Sequence, residues 1–157
     1  MPGANPPEPS QIGTQMARRV FFSFEYSDVQ RAMVVRNSWV TVGRQAAGFI
    51  DAADFEAVKK RGDAAIKSWI DGQLVGTTVT CVLVGAETCQ SKWVQYEIDA
   101  SIARGNAMLG IDISKIKAFD GSTTDRCGKI PAGYPFHLWN TDDGPKNLGT
   151  WIDNAPV

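Results

Sequence analysis

At 157 residues, 43% of them apolar, the chain is long enough for one hydrophobic core and too short for two ordinary domains. Sixteen Lys and Arg stand against seventeen Asp and Glu, giving a formal charge of −1 with no basic stripe, which excludes nucleic acid and anionic membrane surfaces as principal partners. The three cysteines are odd in number and far apart and the one histidine is isolated, so no metal site is expected, and this cysteine usage suits a reducing compartment better than a disulfide framework.

Residues 1–16, MPGANPPEPSQIGTQM, hold four prolines and two glycines and have almost nothing to bury. They are expected to form a disordered leader ahead of a single domain over 17–157. No apolar stretch follows a basic start, and no run approaches the roughly 20 apolar residues of a membrane span, so a soluble, cytoplasmic protein is expected.

Val20 to Phe24 has strand composition. Ser27-Asp28-Val29-Gln30 reads as a capping box, with Ser27 as N-cap and Gln30 reaching back, ahead of a helix of about ten residues with Val29, Ala32 and Met33 inward. Trp39 to Gly43 reads as loop or short extended segment, and Ala47 to Ile50 as a second strand. Asp51 or Asp54 can cap a long helix in which Phe55, Val58, Ala65, Ile66, Trp69, Ile70 and Leu74 recur at helical spacing, interrupted by Gly62 and closed by Gly76. Thr78 to Val84 and Ala107 to Ile111 are apolar and β-branched without alternation, as expected of strands covered on both faces, and the helix between them makes a βαβ crossover. Ser114 to Gly133 reads as a long surface excursion. Tyr134 to Trp139 is an edge-like strand, because Pro135 cannot donate to a central ladder, and a short helix around Pro145 to Ile152 closes the chain. The sum is a three-layer α/β domain of flavodoxin-like type, with a parallel sheet of about five strands.

Several uses of this architecture lack their parts. No Gly-x-Gly-x-x-Gly follows any strand, and Gly121 stands six residues rather than four before Gly128-Lys129, so both dinucleotide and phosphate-loop motifs fail. Glu25-Tyr26 is acidic and bulky where a flavin loop needs small hydroxylated residues. Val84-Gly85 occupies the place of a receiver's aspartate. Cys89 lies near a helix start, where a thiolate is favoured, but has no base beyond distant His137, which itself reads as a strand residue. Trp69 and Trp139 read as core, and Arg18 and Arg19 as solvated flank.

With Ser91 as N-cap, the crossover helix buries Val94, Ile98 and Ile102. Glu97 then stands about 60° off Val94 at the border of that stripe, roughly 9 Å from the helix start and beyond the carboxyl ends of the strands, where ligands of open α/β sheets bind. No Lys or Arg lies three or four residues away to pair with it. On spacing alone, an inconsequential border glutamate is the simpler reading, and Trp93 one turn earlier either packs under it or fills core.

Separate blocks, VFFSFEYSD (Val20 to Asp28), RNSWVTVG (Arg36 to Gly43), AAGFIDAADFE (Ala46 to Glu56), DAAIKSWIDGQLVGTTVTCVLVGAET (Asp63 to Thr88), SKWVQYEI and RGNAMLGIDI, occur in order and closely resemble TIR-like domains of the bacterial Thoeris antiviral system. The likeness covers roughly Arg18 to Ile113. It implies the flavodoxin-like sheet, cleavage of the N-glycosidic bond of NAD as substrate with no further cofactor, and, on a phage-derived trigger, release of nicotinamide with a cyclic ADP-ribose isomer that activates a partner effector. The family's catalytic glutamate lies in Ser-x-Trp-x-x-x-Glu, here Ser91 to Glu97. Phe22, Ser23, Phe24, Tyr26 and Asn37 are expected as the substrate wall, with Trp93 beside the glutamate. Asp51 reads first as a cap, although the loop before it borders the site in TIR folds. A single carboxylate suits this chemistry, because bond breaking builds oxocarbenium charge on the ribose while nicotinamide leaves neutral without a strong general acid. Cyclisation requires a nucleophile of the same ADP-ribose held near the anomeric carbon with water kept out. Two other outcomes stay open: a non-catalytic TIR module acting by self-association or by binding a phage protein, and a plain NAD glycohydrolase.

Overall fold

The structure, a computed structural model, describes residues 18–157 apart from Val42, Gln45 and Asp51. The expected leader over 1–16 and the site residue Asp51 lie outside the described residues. Five strands, β1 (Val20–Ser23), β2 (Ala46–Ala47), β3 (Val79–Val84), β4 (Ala107–Asp112) and β5 (Phe136–Leu138), form one sheet in the order β2-β1-β3-β4-β5. Every pairing is parallel, and the longest register runs from Val79 opposite Ala107 to Val84 opposite Asp112. This is the flavodoxin-like arrangement. β3 and β4 are buried along almost their whole length, as their unalternating apolar composition requires.

The helices are α1 (Val29–Val40), α2 (Ala52–Lys60), α3 (Asp63–Leu74), α4 (Lys92–Ala103) and α5 (Gly144–Asp153). Alternation along β1 sorts the core into two faces. Val20 and Phe22 join Trp39 of α1 and Leu148 and Ile152 of α5 on one side; Phe21 joins Ile66, Ile70 and Leu74 of α3 on the other, where Val94 and Ile98 of α4 pack on Val82, Val84 and Met108. The chain leaves β1 toward β2 and returns past it to β3, so the order of strands reverses between β1 and β3. Beyond their carboxyl ends lies the crevice where such sheets bind ligands.

Several local expectations are corrected. Ser27 does not cap α1. A 3-10 turn at Tyr26–Asp28 intervenes, Glu25 accepts the Ser27 N–H at 2.8 Å, and Gln30 instead accepts the Phe119 N–H at 3.1 Å. Asp28 is drawn inward against Gly85, and the inward face of α1 is Ala32, Val35 and Trp39, with Val29 and Met33 half-buried. Trp39 and Val40 belong to α1 rather than to a loop. The second strand shrinks to Ala46–Ala47, because Gly48 turns to φ 96 and packs so closely under the Phe22 carbonyl that a Cβ there would collide with it. The single long helix is two helices, broken at Gly62 with φ 95. Ile102 is exposed. Glu97 and Ser101 take the inward positions, where Ser101 Oγ donates to the Glu97 carbonyl at 2.6 Å and accepts from Thr80 Oγ1 at 2.6 Å.

The excursion from Ser114 to Gly133 has no helix or strand, yet it is held. Arg31 donates to the Ile116 and Ser122 carbonyls at 2.7 and 2.9 Å, and Ile116 and Ile130 are buried. Cys127 donates its N–H to the Gly85 carbonyl at 2.9 Å and accepts the Cys89 N–H at 2.8 Å. Its side chain forms a disulfide with Cys89 across a Cα separation of 5.3 Å. The expectation against disulfides is thus corrected for this pair, and Cys89 offers no thiolate; only Cys81, inside β3, is free. Sequence spacing hid the pair, since two cysteines 38 positions apart meet only because β4 returns the chain to the rim. No helix among the described residues is long and apolar enough to cross a membrane.

The disulfide closes a large loop, so a double variant Cys89→Ser/Cys127→Ser is expected to lose about 2–4 kcal/mol of stability. Thermal unfolding by circular dichroism checks this. A dithiol reductant should lower the melting temperature of the natural chain to that of the variant and leave the variant unmoved; a natural chain indifferent to reductant would remove the bond from the account.

Candidate functional site

Ser91 accepts the Val94 N–H at 3.2 Å and so caps α4 as its sequence predicts. That start sets the rotation of the helix and turns Glu97 toward the end of β1. Ser23, the last residue of β1 and on the same face as Phe21, donates its hydroxyl to Glu97 Oε1 at 2.5 Å. Glu97 is only 7% exposed. Burial therefore pushes its carboxyl up to about 8; the Ser23 hydrogen bond opposes the rise and the negative charge of Glu25 adds to it.

Glu97 opens onto a small cavity of about 50 Å³. Phe24, Glu25, Tyr26, Phe55, Trp69 and Trp93 supply its character, with aliphatic groups of α3 behind them. Tyr26 and Phe55 stack at 4.6 Å, tying the turn after β1 to α2. Among the described residues no Lys, Arg or His lines this cavity. It has room for about one or two waters, and drug-sized ligands occupy several hundred Å³, so a dinucleotide can enter only if the lining side chains part.

Ser23, Phe24, Tyr26 and Trp93 thus meet around Glu97, as their motifs suggest. Phe22 does not. The alternation that brings Ser23 to Glu97 sends Phe22 through the sheet to Trp39 and Phe49, 6.5 and 5.7 Å away between ring centres. Asn37 is also misplaced: it lies on the exposed side of α1, across the sheet from α4, where its side-chain oxygen accepts from Arg36 at 3.4 Å. Phe55 and Trp69 were legible only as periodic helix residues, a signal that cannot separate core from cavity wall. Glu25 had a plainer signal, an acid directly after a buried strand. His137 is a strand residue stacked on Trp151 at 4.2 Å, with its pKa lowered by burial. Arg18 binds the Ile152 and Ala155 carbonyls at 3.0 and 2.9 Å rather than lying free as solvated flank.

A second, larger groove of about 850 Å³ lies on the other side of the start of α4, between that helix and the excursion. It carries Lys92, Arg126 and Lys129 and no carboxylate, but two of these cations are engaged, Lys92 with Asp63 at 3.0 Å and Arg126 with Asp112 at 3.4 Å. No carboxylate lines it to stabilise a developing positive charge. The smaller cavity, with its buried carboxyl, is the better candidate for chemistry.

The family model described as Thoeris protein ThsB, TIR-like domain, matches residues 21–118. The chain is also 44% identical over 139 residues to a protein of Bacillus cereus (strain MSX-D12) named "Putative cyclic ADP-D-ribose synthase ThsB1", covering 87% of this chain and 72% of that one.

The buried carboxyl has a thermodynamic consequence. Between its ordinary value of 4.5 and about 8, the folded protein keeps a proton on Glu97 that the unfolded chain has released, so stability falls as pH rises through that window. Glu97→Gln removes this slope, worth about 1.4 kcal/mol per pH unit at most. Denaturant titrations at several pH values should show the variant gaining on the natural chain from pH 5 to pH 8; parallel curves would count against a buried, proton-holding Glu97.

Proposed function

Because the chain belongs to the TIR-like family of Thoeris ThsB proteins, we propose that it consumes NAD, breaking the bond between nicotinamide and ribose and closing the remaining ADP-ribose into a cyclic signal. The observation that carries this reading is Glu97, a carboxyl buried beside aromatic rings where the strand order reverses. The name borne by the Bacillus relative, a cyclic ADP-D-ribose synthase, supports the product class.

In this mechanism the C–N bond breaks with its electron pair going to the pyridinium nitrogen, so nicotinamide departs neutral. The ribose is left as an oxocarbenium ion. Ionised Glu97, set against the ribose hydroxyls, stabilises that cation more than the ground state, and Ser23 holds the carboxylate in place through one oxygen. A nucleophile of the same ADP-ribose, an adenine nitrogen or a ribose hydroxyl, then forms the new bond to the anomeric carbon, with any hydroxyl proton passing to solvent. The five rings around the cavity exclude water at that moment, which separates cyclisation from hydrolysis. Phe24, Tyr26 and Trp93 form the wall for the nicotinamide end. The nucleotide acts in the cytoplasm on a partner effector, and a phage-derived trigger starts its synthesis, with self-association as a further control.

The contracted cavity favours a second reading, a TIR module that binds partners and turns nothing over. Incubation with NAD, with and without lysate from phage-infected cells, followed by chromatography and mass spectrometry, decides between them. The expected result is nicotinamide released in step with NAD consumed, a cyclic product rather than linear ADP-ribose, and a loss of about 10²- to 10³-fold in Glu97→Gln. Because the carboxyl must ionise and is held up near 8, kcat/KM should climb with pH and level off above about 8. Unchanged nicotinamide release by Glu97→Gln would remove the assignment.

A further inference from the structure

The cavity at Glu97 has a composition that its catalytic carboxyl does not explain. Five aromatic side chains line it, Phe24, Tyr26, Phe55, Trp69 and Trp93, together with a second carboxylate, Glu25, and among the described residues no cation offsets the two acids. Aromatic faces and fixed anions together are the chemistry of cages that bind cations whose charge is spread over an organic group. Two of these rings already hold ammonium groups: Lys59 Nζ lies 5.3 Å from the centre of Phe55 and Lys92 Nζ 4.8 Å from that of Trp93, yet neither lysine lines the cavity.

Glu25 is placed for this use by the backbone around it. It lies two residues beyond Ser23, the end of β1, and its carboxylate caps the 3-10 turn by accepting the Ser27 N–H at 2.8 Å. That bond occupies one oxygen, Oε2, and fixes the side chain at the cavity. Its charge is felt at Glu97, whose carboxyl it helps to keep protonated. Burial holds Glu97 up to about 8, and the second acid of the lining is Glu25. Among the described residues, the other charged and titratable groups lining the cavity are Glu97 itself from α4 and Tyr26 from the turn, while α2 contributes Phe55 and α3 contributes Ile66, Trp69 and Ile70.

We infer that Glu25 is a specificity residue which, with the surrounding rings, selects a cationic N-substituted pyridinium over its neutral counterpart. Resting on the NAD-cleaving reading, this assigns the cavity to the oxidised form of the dinucleotide, whose nicotinamide ring is charged, and against the reduced form, whose ring is not. The arrangement also links binding to chemistry. A cation entering beside Glu25 favours ionisation of Glu97, so the substrate itself supplies the charge that creates the reactive carboxylate.

The test uses the full chain, with 1-methylnicotinamide as the cationic probe and nicotinamide as the neutral one, each followed through the indole N–H signals of Trp69 and Trp93 by NMR titration. The cation is expected to bind at least about tenfold tighter. Glu25→Gln keeps an oxygen for the Ser27 N–H while removing the charge, and should erase that preference. In the same variant, KM for NAD should rise more than kcat falls, and the activity profile should shift toward lower pH, neither of which the loss of a turn cap produces. Equal affinity for both probes in the natural chain, binding of neither, or a preference that survives Glu25→Gln overturns the proposal. Nicotinamide release from NAD by the same preparation keeps the two questions apart: cleavage without cation preference sinks the role of Glu25 alone, and cation preference without cleavage sinks the catalytic reading alone.

Discussion

The Ser23 hydroxyl and the Glu97 carboxyl meet at 2.5 Å in a place that bulk water scarcely reaches, and the site is organised around that contact. Ionising a carboxyl there forfeits its hydration, and a single hydroxyl replaces only part of it. Proteins usually solve this by pairing the acid with a Lys or Arg. Here no such partner lines the cavity among the described residues, and the other acid lining it, Glu25, has the same sign. What neutralises Glu97 is therefore either a proton or a cation that arrives from outside. A group held so is costly as structure and useful as chemistry, which is the usual signature of a functional position.

The surrounding fold bears that cost through α4. Its cap by Ser91, its packing through Val94 and Ile98, and the buried chain of Asn106, Thr80 and Ser101 leave the helix one rotation. Asn106 donates to Thr80 Oγ1 at 3.2 Å, Thr80 donates on to Ser101, and Ser101 donates to the carbonyl of Glu97 itself. The polar run beneath the helix thus ends at the catalytic candidate. The turn leading into α4 is held from a second side by Cys127, through its disulfide to Cys89 and its hydrogen bonds to the backbone of Gly85 and Cys89. Gly128, at φ 135, packs between Thr88 and Val84, where its close fit and backbone angle both suit glycine. The irregular stretch after β4 is thus a brace for the rim rather than a loose loop.

The same geometry explains why the two depressions near α4 differ. The wide groove faces the excursion and carries cations, two of the three engaged with carboxylates, whereas the small cavity faces β1 and carries acids with no countercharge among the described lining residues. Size alone would choose the first. The charge that develops in breaking a glycosidic bond is positive, and that requirement selects the second.

Much of this was legible in the chain itself, because local chemistry decides it. The apolar runs at Thr78 to Val84 and Ala107 to Ile111 can only be strands covered on both faces, Ser91 is a cap wherever it begins a helix, and the spacing from Ser91 to Glu97 places the acid near the sheet's rim. The parallel five-stranded fold and the candidate glutamate follow from those patterns and from the ordered blocks shared with the TIR-like family. What periodicity could not decide was direction across distance. The stripe of α4 admitted Ile102 as readily as Ser101, and only the polar partners on β3 and just before β4 turned the helix so that Glu97 went inside. Phe22 and Ser23 are neighbours in the chain and face opposite layers, a fact set by which face of β1 meets α4. Asn37 went to solvent for the corresponding reason on α1. Cys89 and Cys127 became a pair, and Phe55 and Trp69 became cavity walls, because crossovers bring remote segments to one rim; such meetings are products of packing, which no single stretch of sequence contains.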